Sequence, residues 1–468
     1  MTRLFEKHDS LRNFIIIIFI IFVFQFMIVL PSLISPNKAL LFGDSQIYVK
    51  SALNLINYGI YSDNDFLHPA HFKPPGYPIF LAGIFAIIGF NIRFVILVQI
   101  FLIIIFSIFV YYLTLLVMSD KRAALTSMLL AGISPNVAFH AGFILSEPLF
   151  VNLMLITLYF FLLYLYRIHT KFAIISGICL AFTILVRAVA ILVPIPLFIY
   201  LFLTKRLTKK ILFDMLILTV IVVIMLLPWI IRNYRIFNRL FIGTTGDVTA
   251  FIWAERTYAF AKGVSEKEAA DTLESEVLRE IQDGEQWNEA RVMGLRLKVA
   301  LKYIARYPLH YLILHIFSFM RVAFQPLNFS EILAYYSKNP VSTWQKIRPI
   351  QPFPKSADRF RNWLRTIYYG RLRLIPLTGY LLFFGQLCYL LILYYGIIRC
   401  ILIKPRPLEG WLISLLITIY LIFMSGAHPE VRFRVSAEPL MAMVAGIGIA
   451  AAHPTCRYLQ FWRRRDKI

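Results

Sequence analysis

The chain has 468 residues, of which 59% are apolar and only 16% charged, and its mean hydropathy is +0.70. A soluble globular domain does not carry that balance, so lipid is the solvent for much of the fold. The net charge of +23 lies largely in loops between apolar runs, where a basic excess meets anionic headgroups, and no nucleic-acid motif accompanies it. Nucleic acid is excluded as a partner on that ground. Cys179, Cys388, Cys400 and Cys456 sit in or beside apolar segments, which argues against a disulfide framework or a cysteine zinc site.

In chain order, the first apolar stretch covers 13–34 behind Arg3, Lys7 and Arg12. It is longer than the apolar core of a signal peptide and ends without a small-x-small cleavage pattern, so it reads as a retained span. Residues 94–119 contain no charge at all. Further spans are expected at 123–141, 148–166, 172–187, 188–204, 212–231, 376–398, 409–425 and 437–454, each bounded by polar residues. The basic loops Lys121-Arg122, 167–171, 205–210 and 399–406, with the tail Arg463-Arg464-Arg465, assign alternate span ends to the cytoplasm. The segments 35–93, 142–147, 232–375 and 426–436 then share the opposite, external face.

Two apolar stretches do not fit as spans. Residues 78–90 are too few to cross comfortably, and 308–325 carry His310, His315 and Arg321, so both read as interfacial or re-entrant helices. Residues 255–302 are rich in Glu, Lys, Ala and Arg, with Leu273, Val277, Ile281, Val292, Leu295 and Val299 at amphipathic spacing, the pattern of a small soluble helical insert. No internal repeat is visible. The expected fold is an all-α polytopic membrane protein of about ten spans, ten to twelve at most. It divides into a membrane module at 1–234, whose first external loop is 35–93, an external helical region at 235–375 holding the interfacial helix 308–325, and C-terminal spans with a basic tail at 376–468.

Candidate chemistry gathers on the external face. Asp44 stands just after the first span and Glu147, in Ser146-Glu147-Pro148, at the mouth of a later one. Each has a structural alternative, since an acid at a helix start caps it or complements its dipole. Two carboxylates on one surface can instead divide the roles of base and orienting group or metal ligand. Lys73, Arg187, Arg232, Arg432 and Arg434 are the cations placed to meet an anionic phosphate, the alternative being that they snorkel to headgroups. Arg187 stands out because it interrupts two apolar runs with no other charge nearby. Should a divalent ion bind, Glu147, His71 and His428 are the candidate ligands, with His68, His140 and Glu430 on the same face, although no fixed-spacing zinc motif is present.

The order of these pieces resembles the GT-C superfamily of polyprenyl-phosphate-sugar glycosyltransferases, close to the protein O-mannosyltransferases and the lipid A aminoarabinose transferases. The likeness covers most of 10–235 and 426–448. It rests on Asp44 with Tyr48, on Lys73-Pro74-Pro75-Gly76-Tyr77-Pro78, on Ser146-Glu147-Pro148-Leu149, on Pro228-Trp229-Ile230-Ile231-Arg232-Asn233-Tyr234, and on the stretch from His428 to Pro439 with Arg432-Phe433-Arg434. The resemblance implies a GT-C fold with juxtamembrane helices. It makes Asp44 the general base on an acceptor hydroxyl and Glu147 the second acid, with Lys73, Arg187, Arg232, Arg432 and Arg434 near the carrier phosphate. Tyr48, Tyr77, Asn233 and His428 would then contact substrate. Many relatives have Asp in place of Glu147 and Pro in place of Ser436, two departures in this chain. The implied partners are a polyprenyl-phosphate sugar, membrane lipids and a glycan, lipid or protein acceptor. The Ile-, Lys- and Asn-containing loops and the lack of an ER retention signal point to a bacterial inner membrane with the site facing outward, the ER membrane being the alternative. A lipid-glycan flippase would place ionisable groups near the midplane and show repeated halves, and an O-antigen polymerase or ligase would carry its main external loop later in the chain.

Overall fold

The computed structural model describes residues 2–281, 289–337, 377–405, 408–427 and 430–451. Among them every regular element is helical. The elements are α1 (Thr2–Ile34), α2 (Gly43–Tyr58), α3 (Gly76–Ile88), α4 (Ile92–Met118), α5 (Lys121–Gly132), α6 (Pro135–Ala141), α7 (Glu147–Arg167), α8 (Thr170–Val186), α9 (Pro194–Leu203), α10 (Lys209–Phe237), α11 (Thr245–Lys262), α12 (Glu266–Arg279), α13 (Glu289–Arg306), α14 (Pro308–Phe324), α15 (Phe329–Tyr336), α16 (Leu377–Ile403), α17 (Leu408–Phe423) and α18 (Glu438–Ala450). Short 3-10 turns at Pro36–Leu40, Ala188–Leu192 and Val431–Ser436 join several of them.

The chain is an all-α polytopic membrane protein. Among the described residues five helices are long and apolar enough to cross a bilayer: Leu11–Ile34, Ile92–Met118, Glu147–Arg167, Lys209–Phe237 and Leu377–Ile403. Other expected spans are shorter or broken. The stretch 123–141 is interrupted where Ser134 caps α6, accepting the Val137 N–H at 3.2 Å with Pro135 at the first helical position. The stretch 188–204 begins as a 3-10 turn and becomes α-helical only at Pro194. Helices α8, α17 and α18 have 17, 16 and 13 residues, against roughly 20 for a full crossing.

α18 is buried along nearly its whole length and packs against α5 and α16. Small residues allow this: a Cβ on Gly448 would lie 1.9 Å from the Gly396 carbonyl oxygen, so the two backbones meet where side chains cannot. At the far end of the bundle the buried Asp214 ties three helices, accepting from Tyr164 at 2.8 Å and Thr170 at 3.0 Å and pairing with Lys210 at 3.1 Å. Both carboxylate oxygens of Asp214 thereby have partners, which is what burial in apolar surroundings demands.

α11, α12 and α13 share a small core of Phe251, Leu273, Val277, Val299 and Tyr303. α14 buries His315, Ser318, Val322 and Ala323 on one side and exposes Leu309, Leu312, Ile316, Phe317, Met320 and Phe324 on the other. The spacing of that exposed row is one helical stripe.

Candidate functional site

Five charged side chains meet where helix ends converge. α2 begins at Gly43 after Phe42, which gives no side-chain cap, so Asp44 lies inside the first turn rather than at the cap position. Its carboxylate points instead to two cations: Lys73 Nζ is 2.9 Å from Oδ1, and Arg432 Nη2 donates to Oδ2 at 3.0 Å. Glu147 opens α7 in the same manner, with no side-chain cap from Ser146. Its Oε1 lies 2.7 Å from Arg187 Nη1 and 3.4 Å from Arg432 Nε. Arg432 is therefore the bridge between the two acids. It also reaches Glu430 at 3.7 Å.

Burial makes these pairs matter. The side chains of Glu147, Lys73, Arg432, Arg187 and Asp44 are 2%, 9%, 11%, 19% and 21% exposed. Burial alone would raise the Asp44 carboxyl, but Arg432, Lys73 and Arg187 together hold it well below the usual carboxylate range. Burial pulls the Lys73 ammonium down further than Asp44 restores it. For Arg432 burial is outweighed by Asp44, Glu147 and Glu430, so its charge is secure.

The loop that presents Lys73 is held from several sides. The Tyr61 hydroxyl donates to the Lys73 carbonyl at 2.9 Å, and the Lys73 ammonium sits over the Phe72 ring at 4.7 Å. Thr244 and Thr245 donate backbone N–H bonds to the His71 and Phe72 carbonyls at 3.0 and 3.2 Å. Just beyond, α3 starts at Gly76, where a Cβ would stand 2.7 Å from the Leu185 carbonyl oxygen, two residues before Arg187. That close approach sets Lys73 and Arg187 on the same cluster.

Other expected site residues lie elsewhere. Arg232 does not reach the carboxylates. Its Nη1 donates to the Ala70 carbonyl at 2.9 Å and to Asn233 Oδ1 at 2.8 Å, and its guanidinium stacks on Trp229 at 4.8 Å. Asn233 in turn donates to the Phe241 carbonyl at 2.8 Å, so Arg232 ties the 61–73 loop to α10 while Asn233 holds the turn that follows that helix. Arg434 is fully buried and turns away from the cluster: Nε donates to Glu438 at 2.6 Å and Nη1 to the carbonyls of Val322, Ala323 and Gln325. Glu438 also accepts from Ser134 and from Asn136, the latter at 2.9 Å. Both guanidiniums thus bond to protein acceptors and neither pairs with Asp44 or Glu147.

Tyr48 lies one turn after Asp44, its hydroxyl 3.2 Å from Ser146 Oγ, and packs edge-on to Tyr77 at 4.8 Å. Tyr77 is fully buried and donates to Gln99 at 3.0 Å. His71 lies between Thr244 at 2.9 Å and Glu289 at 3.0 Å, apart from Glu147. His428 lies outside the described residues. Among the described residues no group of three or more His, Cys, Asp or Glu is arranged to hold a metal ion. Glu430 and His140, named above as further candidates for a divalent ion, border the cluster, as does Glu331. Glu331 had no signal in the sequence, since its contact with His140 spans 191 positions and belongs to no motif.

Residues 72–231 match a family model described as dolichyl-phosphate-mannose-protein mannosyltransferase. The expected likeness is thus borne out over the stretch that holds Lys73, Glu147 and Arg187. No curated protein matches the chain. Among solved structures, the oligosaccharyltransferase of Archaeoglobus fulgidus in its apo form aligns at 16% identity and a TM-score of 0.48, over 94% of this chain and 50% of that one. The ArnT of Cupriavidus metallidurans bound to undecaprenyl phosphate aligns at 13% identity and a TM-score of 0.42, over 93% of this chain and 76% of that one. The chain spans half the length of the archaeal enzyme.

Proposed function

We propose that the protein is a membrane glycosyltransferase that moves a sugar from a polyprenyl-phosphate carrier to an acceptor hydroxyl, with inversion, at the outer face of a bacterial inner membrane. The observation that carries this reading is the Asp44 carboxylate held jointly by Lys73 and Arg432. The family model over 72–231 supports it.

A carboxylate with two cationic partners is ionised but weakly basic. An incoming carrier phosphate competes for Lys73 and Arg432, since guanidinium and ammonium groups bind phosphate well. As they turn to the phosphate, Asp44 loses its counter-charges and its basicity rises towards that of an ordinary carboxylate. Donor binding thereby readies the base, and the acceptor hydroxyl gives its proton to Asp44 as it attacks the anomeric carbon. Lys73, Arg432 and Arg187 meet the charge that builds on the departing phosphate, so no general acid is needed. A single displacement inverts the anomeric centre, as it does in hydrolases that use one base and one attacking water. Glu147 keeps Arg187 and Arg432 oriented. Segment 35–93 and helices α11 to α15 cap the site, with α14 lying in the membrane interface on its apolar stripe.

The test is transfer from polyprenyl-phosphate mannose and related donors to glycan, lipid and protein acceptors by purified protein. Asp44→Asn is expected to lower the rate about 10²- to 10⁴-fold, the usual worth of a positioned base. Undiminished transfer by that variant refutes the role of Asp44. Passage of labelled lipid across vesicles with no donor consumed favours a transporter instead.

A further inference from the structure

Where the chain passes Lys73, five successive backbone carbonyls each have a donor. Ala70 accepts from Arg232 Nη1 at 2.9 Å, His71 from the Thr244 N–H at 3.0 Å, and Phe72 from the Thr245 N–H at 3.2 Å and the Thr245 hydroxyl at 2.6 Å. The Tyr61 hydroxyl is shared between the carbonyls of Lys73 at 2.9 Å and Pro74 at 3.2 Å. Gly243 lets the next two residues come this close, since a Cβ there would lie 3.1 Å from the Phe72 carbonyl oxygen. Connecting loops are ordinarily the mobile part of a fold, but this one is anchored residue by residue. His71 adds a side-chain anchor, 11% exposed and edge-on to Phe237 at 5.7 Å. Its Nδ1 lies 2.9 Å from Thr244 Oγ1 and its Nε2 3.0 Å from Glu289 Oε2. A carboxylate only accepts, so Nε2 carries a proton and donates it to Glu289. Glu289 opens α13, and the carbonyl of the next residue, Ala290, accepts at 3.1 Å from Arg239, which also pairs with Asp247 of α11 at 2.6 Å. The ring of His71 therefore reaches a part of the external layer that is itself tied down.

We infer that His71 is a positioning residue for Lys73, fixing the 70–74 segment against α11 and α13 so that the ammonium stands at Asp44. Lysine carries its charge on a flexible four-carbon stem, so Nζ is held 2.9 Å from the Asp44 carboxylate only if the backbone beneath it is fixed. The lever is short. His71 lies two residues before Lys73, and Pro74 and Pro75 follow with φ locked by their rings, so a shift at His71 passes to Lys73 instead of being absorbed further along. The external helices thereby take part in capturing the carrier phosphate without touching it. The inference rests on the proposed glycosyl transfer for the identity of the anion that Lys73 meets.

A double-mutant cycle between His71→Ala and Lys73→Met tests this, read by titration with polyprenyl phosphate and, with no ligand, by unfolding in detergent micelles. His71→Ala alone is expected to weaken polyprenyl-phosphate binding about tenfold, within the range for residues that share one hydrogen-bonded network, and to lower the unfolding midpoint. In the Lys73→Met background the same substitution should leave binding unchanged, because the group it positions is gone. Glu289→Ala breaks the contact from the other side at a position 62% exposed, where folding is not at risk. It should give part of the same loss, and none on top of His71→Ala. Additive effects of His71→Ala and Lys73→Met in the titration overturn the inference and mark a structural role, as does a Glu289→Ala protein that binds as wild type does. If wild type binds no polyprenyl phosphate, the proposed reaction falls and unfolding decides the role of His71: non-additivity with Lys73→Met keeps it as a positioning residue, and additivity removes it.

Discussion

Arg432 offers a quantitative check because one guanidinium serves two buried acids. Its Nη2 bonds Asp44 at 3.0 Å and its Nε lies 3.4 Å from Glu147. In Arg432→Met both contacts go. Asp44 keeps only Lys73, and Glu147 keeps only Arg187, the remaining pairs lying at 2.9 and 2.7 Å. Removing one member of a buried ion pair costs about 3–5 kcal/mol, and the surviving cations bring this to the low end, about 3 kcal/mol. Arg432→Lys supplies one compact ammonium, which reaches one carboxylate and not both, so about half of that loss is expected. The assay is unfolding in mixed detergent micelles, with binding of polyprenyl phosphate measured alongside. Binding should weaken in the same order, wild type, Lys, Met. A Met variant as stable as wild type, or a Lys variant indistinguishable from Met, would show that the bridge contributes nothing.

Asp44 predicts an acid dependence of stability. Its folded pKa is depressed, so its contribution is complete above the unfolded value of about 3.9 and fades as pH falls below it. The stability gap between wild type and Asp44→Asn should therefore be constant near neutrality and shrink below about pH 4; a constant gap down to pH 2.5 would contradict the ion pairing. Gly76→Ala forces a Cβ to 2.7 Å from the Leu185 carbonyl oxygen, and overpacking of this kind costs about 1–3 kcal/mol. Lys73 shifts with it, so polyprenyl-phosphate binding should weaken more than in a surface control. Arg434→Met strands the fully buried Glu438 and should abolish recovery of folded protein, whereas a phosphate-binding role would give a folded protein with weak donor affinity.

The membrane class and the meeting of Asp44, Lys73, Glu147, Arg187 and Arg432 were legible because charge is scarce in this chain. A charge at the end of an apolar run must find water or a partner, and basic loops alone placed the acids on one side. The alternatives that nearly prevailed were local. A cap requires only neighbouring backbone, but at Asp44 and Glu147 cations from distant segments take the carboxylates instead. Arg432-Phe433-Arg434 reads as one motif in the sequence, but its two arginines part company in the fold. In a 3-10 turn of three residues per turn, positions two apart diverge by about 120°, so one arginine faces the acids and the other the helix packing. Arg232 was assigned by adjacency as well, and its partners at Tyr61 and Ala70 are more than 160 positions away. Contacts of that range leave no periodic trace. The same holds for His140 and Glu331.

The buried clasp of Arg434 has a consequence for how the protein is made. Its acceptors are the carbonyls at the end of α14 and the Glu438 carboxylate at the start of α18, and Glu438 also receives Ser134 and Asn136 from before and within α6. Translation delivers these pieces hundreds of residues apart, with α18 after every other described helix. Until that helix leaves the ribosome, Ser134 and Asn136 lack the Glu438 carboxylate, and Arg432, six residues before Glu438, is only just emerging. Completion of the membrane core and closure of the charged cluster around Asp44 are therefore late events that fall close together.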